Sequence, residues 1–336
     1  MHDKTIAVVL AAGKGTRMKS NHAKVLHEVF FKPMLHHVLD AVIGAGIERI
    51  AVIVGHQRKK VLAAIDQYAH LPVIQKEQLG TGHAVLCTKK ACEQSGQVMI
   101  LCGDTPLIRP ETLQTMIDDH QQNKATITLM TTVLDDPFGY GRVLSDEHGN
   151  IIKIVEQKDA DENQQKIREI NTGIYLVERK FLFQALQQVG TDNSQGEVYL
   201  TDIIEIACND GHTVHKFFHP HAIDVLGVNS RIELAQAHRE LQMRHNRKIM
   251  LSGVTMYSPE TILLDPESTI GRDTIIHGGV QITGRSDVGD NARLETGVVL
   301  QKCTLGAHAV IGANSVLHNC TVEAEEHIPP LTYKVG

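Results

Sequence analysis

A short apolar run, Ile6 to Leu10, opens into Ala11-Ala12-Gly13-Lys14-Gly15-Thr16-Arg17-Met18, and Lys24-Val25-Leu26 follows a few positions later. Two glycines at the end of a strand let backbone N–H groups approach an anion, while Lys14, Arg17 and Lys24 bring cations to the same point. That combination suits phosphate. The loop G-x-x-x-x-G-K-[ST] is absent, and Met18 stands where the dinucleotide fingerprint needs its third glycine, so neither of those nucleotide-binding modes is written here. An ordinary strand-to-helix turn would use the same glycines.

The elements that must hold these residues can be read in outline. Through about residue 228, β-rich runs (Ile6 to Leu10, Ile50 to Val54, Val98 to Leu101, Thr126 to Thr131) alternate with helical stretches such as Pro33 to Ile43 and Pro110 to His120. Alternation of this kind predicts an α/β domain with a mostly parallel sheet covered on both faces. Ligands of such sheets sit at the carboxyl ends of the strands, which puts the Gly13 loop and Asp104 on one rim. Residues 229–249 contain no Gly or Pro and read as one long helix, with apolar positions including Ile232, Ala235 and Leu241.

Beyond it, Leu264, Ile270, Ile276, Ile282, Val288, Leu294 and Leu300 recur every six residues, and after a one-residue slip Leu305, Ile311 and Leu317 continue. A period of six predicts a parallel β-helix of about three to four coils, three hexads to a coil. An ordinary antiparallel sheet would need a period of two. The expected organisation is therefore a first domain at 1–228, a linker helix at 229–249 and a hexapeptide-repeat domain at 250–336.

Composition narrows the partners. With 33 Lys and Arg against 39 Asp and Glu, a net charge of -6, no Trp and 4% aromatic residues, the chain lacks the basic surplus and stacking platforms of a nucleic-acid binder. No apolar stretch approaches the roughly 18 residues of a membrane span. The six cysteines show no C-x-x-C pair and no zinc-type spacing, which reads as reduced thiols in a cytoplasmic protein.

Six blocks, in order, carry a resemblance: LAAGKGTRM with Lys24-Val25-Leu26, Gln75 to Ala84, Gly103-Asp104-Thr105-Pro106-Leu107-Ile108, Gly139 to Val143, Glu169-Ile170-Asn171-Thr172-Gly173, and Gln195 to Ile204. Over about residues 5–260 the chain resembles the sugar-1-phosphate nucleotidyltransferases, most closely the uridylyltransferase half of the bacterial N-acetylglucosamine-1-phosphate uridylyltransferases. The resemblance implies a Rossmann-like nucleotidyltransferase sheet followed by a short left-handed β-helix, three of which pack as a homotrimer. It implies Mg2+-dependent transfer of UMP from UTP to N-acetylglucosamine-1-phosphate. A sugar phosphate is already an anionic nucleophile, so this reaction needs charge neutralisation and alignment more than acid or base help.

By the same resemblance Arg17 and Lys24 meet the triphosphate and pyrophosphate, and Asp104 and Asn229 hold the metal. Leu10, Ala11, Ala12, Gly13, Gln75, Gly80 and Thr81 match uridine positions, with Gly103 in the Gly-Asp motif. Gly141, Glu156, Asn171, Tyr199 and Thr201 match sugar positions. Read without the resemblance, Asp104 and Asn229 could be helix N-caps, Gln75 a loop residue and Glu156 a surface acid. The sequence departs from the family at Cys102 (usually tyrosine), Val198 (aromatic), Ala23 (proline) and Phe31 (glycine), which bears on affinity and sugar fit.

Family members commonly acetylate glucosamine-1-phosphate in later coils. Here the repeats are expected to stop near Val322, with Ile328-Pro329-Pro330 as the chain's exit from the solenoid, so no acetyl transfer is expected. The competing readings are a uridylyltransferase for glucose- or N-acetylgalactosamine-1-phosphate, a hexapeptide acyltransferase, and a sugar-nucleotide-binding regulator without turnover.

Overall fold

A computed structural model describes residues 5–336, which divide between residues 234 and 235 into two compact units. In the first, strands β1 (Thr5–Ala11), β2 (Arg49–Val54), β3 (Leu71–Ile74), β4 (Gln97–Cys102), β5 (Ile127–Val133), β6 (Arg142–Ser145), β7 (Ile151–Val155), β8 (Glu169–Glu178) and β9 (Val214–Phe218) form one nine-stranded sheet. Its main order is β9-β5-β8-β4-β1-β2-β3, with β6 pairing to β8 and to β7. All main-path pairings are parallel except those of β8, which runs against β4 and β5.

Side chains alternate across a strand, so β1 supplies both faces of the sheet. Ala7, Val9 and Ala11 pack with α1 (Met34–Gly44) and α4 (Pro110–Gln122) on one side. Ile6 and Val8 pack with α3 (Thr81–Leu86), α5 (Arg179–Ala185) and α6 (Asp202–Asn209) on the other. Burial on both faces explains why β1 reads as an unbroken apolar run.

The second unit is the solenoid. Its strands stack as three parallel ladders of five, five and four strands, making four full coils and two strands of a fifth. Ile276 pairs with Leu294 and Leu294 with Ile311, so the coil shortens from 18 residues to 17 at the slip seen in the sequence. Leu264, Ile276, Ile282, Leu294, Leu300, Ile311 and Leu317 are fully buried along its axis.

One expectation is corrected by the ladders. The ladder does not end near Val322: His327–Ile328 pairs with Val310–Ile311, and Tyr333–Val335 pairs with Val316–His318. N–H groups at the strands donate to the next coil, as Leu263 N to Val280 O and Gln281 N to Val298 O, while those at the turns donate back to the preceding one, as Asn291 N to Arg272 O and Leu331 N to Ala313 O. Pro329 and Pro330 lie in the last described coil, where a missing N–H breaks no bond. The long stretch without Gly or Pro forms the helix α7 (Arg231–Leu251), in which Ile232 is 73% exposed and the buried side chains are Ala237, Gln242 and Asn246.

Candidate active site

The register of β1 against β4 sets Leu10 opposite Cys102, so the loops after both strands leave the sheet side by side. Gly103 N donates to Leu10 O at 2.9 Å and fixes that juxtaposition. Gly15 adopts φ +61, and a Cβ there would lie 2.5 Å from the Cβ of Lys24, so only glycine lets the loop close over Lys24. Lys24 pairs with Asp104, and its Nζ also donates to Asn229 Oδ1 at 2.8 Å. Arg17 Nη2 donates to the same Oδ1 at 2.8 Å. Four residues chosen in the sequence thus meet at one point.

Neither oxygen donor is a helix cap. Ser230 caps α7: Glu233 N donates to Ser230 Oγ at 3.3 Å and Ser230 N to Glu233 Oε2 at 2.8 Å, a reciprocal capping box that leaves Asn229 Oδ1 for the cations. Asp104 precedes no helix directly, since α4 begins at Pro110, and its carbonyl accepts from Val228 N at 2.8 Å. That backbone bond brings the Asn229 segment to Asp104.

Beside these charges lies a cavity of about 300 Å³. Leu10, Ala11, Ala12, Gly13, Lys24, Gln75, Gly80, Thr81 and Asp104 line it, together with Gln78, Cys102 and Glu197. Gln75 is 5% exposed and donates from Nε2 to Gly80 O at 3.2 Å. Gly80, at φ +108, packs against the Glu197-Val198 backbone, where a Cβ would lie 2.5 Å from Val198 O. Thr81 Oγ1 accepts from Leu200 N at 3.1 Å, so the Gln195 to Ile204 block is seated on the Gln75 to Ala84 block.

Gly141, Glu156, Asn171 and Thr201 form a second group. Thr201 Oγ1 donates to Glu156 Oε1 at 3.2 Å, Asn171 N donates to Gly141 O at 2.9 Å, and a Cβ at Gly141 would lie 3.6 Å from Glu156 Oε2. Burial raises the Glu156 carboxyl above its ordinary range, opposed by the Thr201 hydrogen bond. Tyr199 has other company: Gln195 Nε2 donates to its hydroxyl at 2.9 Å, and the hydroxyl donates to Asp159 Oδ2 at 3.2 Å. Glu156 is therefore no free surface acid.

The sequence reading missed Gln78, whose Nε2 donates to Ala12 O at 2.8 Å and props the glycine loop. Its position inside the Gln75 to Gly80 block was the available signal. It also missed Asp159 and Tyr140. Burial, with Glu233 and Asp104 nearby, pushes the Tyr140 hydroxyl up to about 12. Burial beside Asp104 likewise pushes the Cys102 thiol up to about 12, so the cavity wall there is a neutral thiol.

Asp104 and Asn229 suit a hard cation. Their oxygens converge on one ammonium, that of Lys24, which stands where a positive charge is held. Among the described residues no three His, Cys, Asp or Glu side chains gather as a metal cage. Two protein oxygens suit Mg2+ when phosphate oxygens and water supply the rest.

Cations facing oxygen donors at the rim of an α/β sheet, beside an amide-lined cavity, make a site whose charges suit an anion. The chain belongs to the nucleotidyl transferase family, whose model matches residues 6–241. Within it the chain is similar to proteins named bifunctional protein GlmU. The one from Desulfotalea psychrophila (strain LSv54 / DSM 12343) is 52% identical over 323 residues, covering 96% of this chain and 95% of that protein. Those from Pelobacter propionicus and Geotalea daltonii are 42% and 45% identical, over 98% and 90% of this chain and 72% and 67% of theirs.

Proposed function

We propose that the chain transfers UMP from UTP to N-acetylglucosamine-1-phosphate, giving UDP-N-acetylglucosamine and pyrophosphate, with Mg2+. The convergence of Arg17, Lys24, Asp104 and Asn229 at the mouth of the Gln75–Gly80 cavity carries this reading. An oxygen of the sugar phosphate attacks the α-phosphorus of UTP, the bond from that phosphorus to the bridging oxygen breaks, and the electron pair leaves with pyrophosphate. Arg17 and Lys24 face the charge that builds on the leaving group, where fixed cations act most strongly. Mg2+ on Asp104 and Asn229 would supply further neutralisation. Gln75, holding donor and acceptor on one amide, fits the imide edge of uracil. Gly141, Glu156, Asn171, Tyr199 and Thr201 would receive the sugar hydroxyls and acetamido group.

The same reading takes the enzyme as a cytoplasmic homotrimer assembled through its solenoid, without acetyl transfer by this 336-residue chain. All six cysteines are unpaired, and no helix among the described residues is long and apolar enough to cross a membrane. A panel of sugar-1-phosphates with released pyrophosphate as readout tests the reaction. Comparable kcat/KM with glucose-1-phosphate would overturn the sugar assignment, and absence of Mg2+-dependent release would overturn the activity. Light scattering showing a monomer would reject the trimer, and thiol release from acetyl-CoA with glucosamine-1-phosphate would reject the single activity.

A further inference from the structure

A broad, open hollow adjoins the nucleotide cavity, sharing Gln75 and Gln78 with it. Lys14, Arg58, Lys59, Lys60 and Lys76 line it, with His56, and no Asp or Glu does. The cations come from three separate segments: the loop after β1, the segment opening the short helix α2 (Arg58–Ala64), and the loop after β3. Among the described residues none of the five makes an ion pair. In a chain of net charge -6 this is a local reversal of sign, and an exposed cluster of like charge raises the local concentration of counter-ions.

We propose that this hollow is a second anion site, taking a ligand that carries two or more phosphate groups, and that its occupation acts on the reaction site. Five cations from three segments exceed what a single phosphate can contact, whereas a chain of phosphates spans them. The link to the reaction site runs through Gln57, also in the lining. Its Nε2 donates to Asn21 O at 2.5 Å, and three residues after Asn21 the chain presents Lys24. A ligand drawing on the Arg58–Lys60 segment therefore pulls on the same stretch that aims Lys24 at Asp104. The coupling rests on the proposed uridylyl transfer; the binding does not.

Equilibrium dialysis with tripolyphosphate as the probe tests the binding. Wild type is expected to take up two equivalents, one at Arg17 and Lys24 and one here. The variant Arg58→Gln/Lys59→Gln/Lys60→Gln is expected to keep its unfolding midpoint, to bind one equivalent, and to lose at least tenfold affinity for the second. Lys76→Gln, on a different loop, should weaken the same equivalent and serves if the triple variant does not fold. In turnover, tripolyphosphate should inhibit wild type in a mixed manner against UTP and the triple variant competitively. One equivalent in wild type, or two undiminished equivalents in both variants, would overturn the site. A tenfold rise in KM for UTP in the variant, with purely competitive inhibition of wild type, would show instead that the hollow holds the substrate's own phosphate tail. If wild type shows no pyrophosphate release yet still falls from two equivalents to one on substitution, the uridylyl reading fails and the anion site stands.

Discussion

In the first unit, Lys24 Nζ donates to an oxygen 205 positions along the chain, whereas in the solenoid Leu294 pairs with residues only one coil away on either side. The first arrangement gathers distant loops at one rim and makes a site whose charges depend on one another. The second repeats a single local contact and makes a rod in which each coil needs only its neighbours. A substitution at the rim should change chemistry with little loss of stability, and one along the solenoid axis should do the reverse.

The sharpest way to break that contrast is Asp104→Ala. Turnover should fall by about three orders of magnitude or more while the unfolding midpoint stays within a few degrees, because the carboxylate holds charge at the rim and supports no core. Near-normal turnover at saturating Mg2+ would remove it from the metal. Arg17→Ala and Lys24→Ala should each lower kcat by about two to three orders of magnitude. If only KM for UTP rises, both cations bind substrate and transition state alike. Leu294→Ala, fully buried in the solenoid, should cost about 2–5 kcal/mol of that unit's stability by denaturant titration, with kcat unchanged. A parallel loss of kcat would show the two units coupled.

The smallest effect concerns Glu156. Burial raises its carboxyl, so as pH falls it protonates before an ordinary carboxylate and loses its full capacity as an acceptor. KM for the sugar phosphate should therefore climb on the acid side, and Glu156→Gln, which cannot titrate, should flatten that limb while raising KM about tenfold at neutral pH. An acid limb of the same shape in both proteins would take Glu156 out of sugar binding.

Much of this was legible in the residues, for reasons that differ between the units. The strands 6–10, 50–54, 98–101 and 126–131 show as β-rich runs of aliphatic residues and threonine because they are covered on both faces, and the coils show because each returns an aliphatic residue to the axis. The meeting of Arg17, Lys24, Asp104 and Asn229 came from ordered motifs. Their geometry did not, because it depends on the bond from Val228 N to Asp104 O and on Ser230, rather than Asn229, capping α7. The Tyr199–Asp159 contact left no trace, since it joins two polar residues 40 positions apart with no spacing rule between them. The continuing ladder at Pro329-Pro330 was missed because proline's missing donor matters only where another strand waits to receive it.

The buried amides of α7 have a consequence for assembly. Gln242 Nε2 and Asn246 Nδ2 each donate to Ile262 O at 2.8 Å, and they reach Glu260 O and Pro259 O as well. Ile262 is the first-coil counterpart of Val280 and Val298, whose carbonyls accept from the coil before them. No coil precedes Ile262, so two side-chain amides occupy the place of its missing N–H groups. A rod with bare carbonyls at that face would be a template for another rod to dock upon and grow without limit. The helix meets the open carbonyl of this ladder with two amides four positions apart, so the ladder begins on side-chain donors where a coil would otherwise stand.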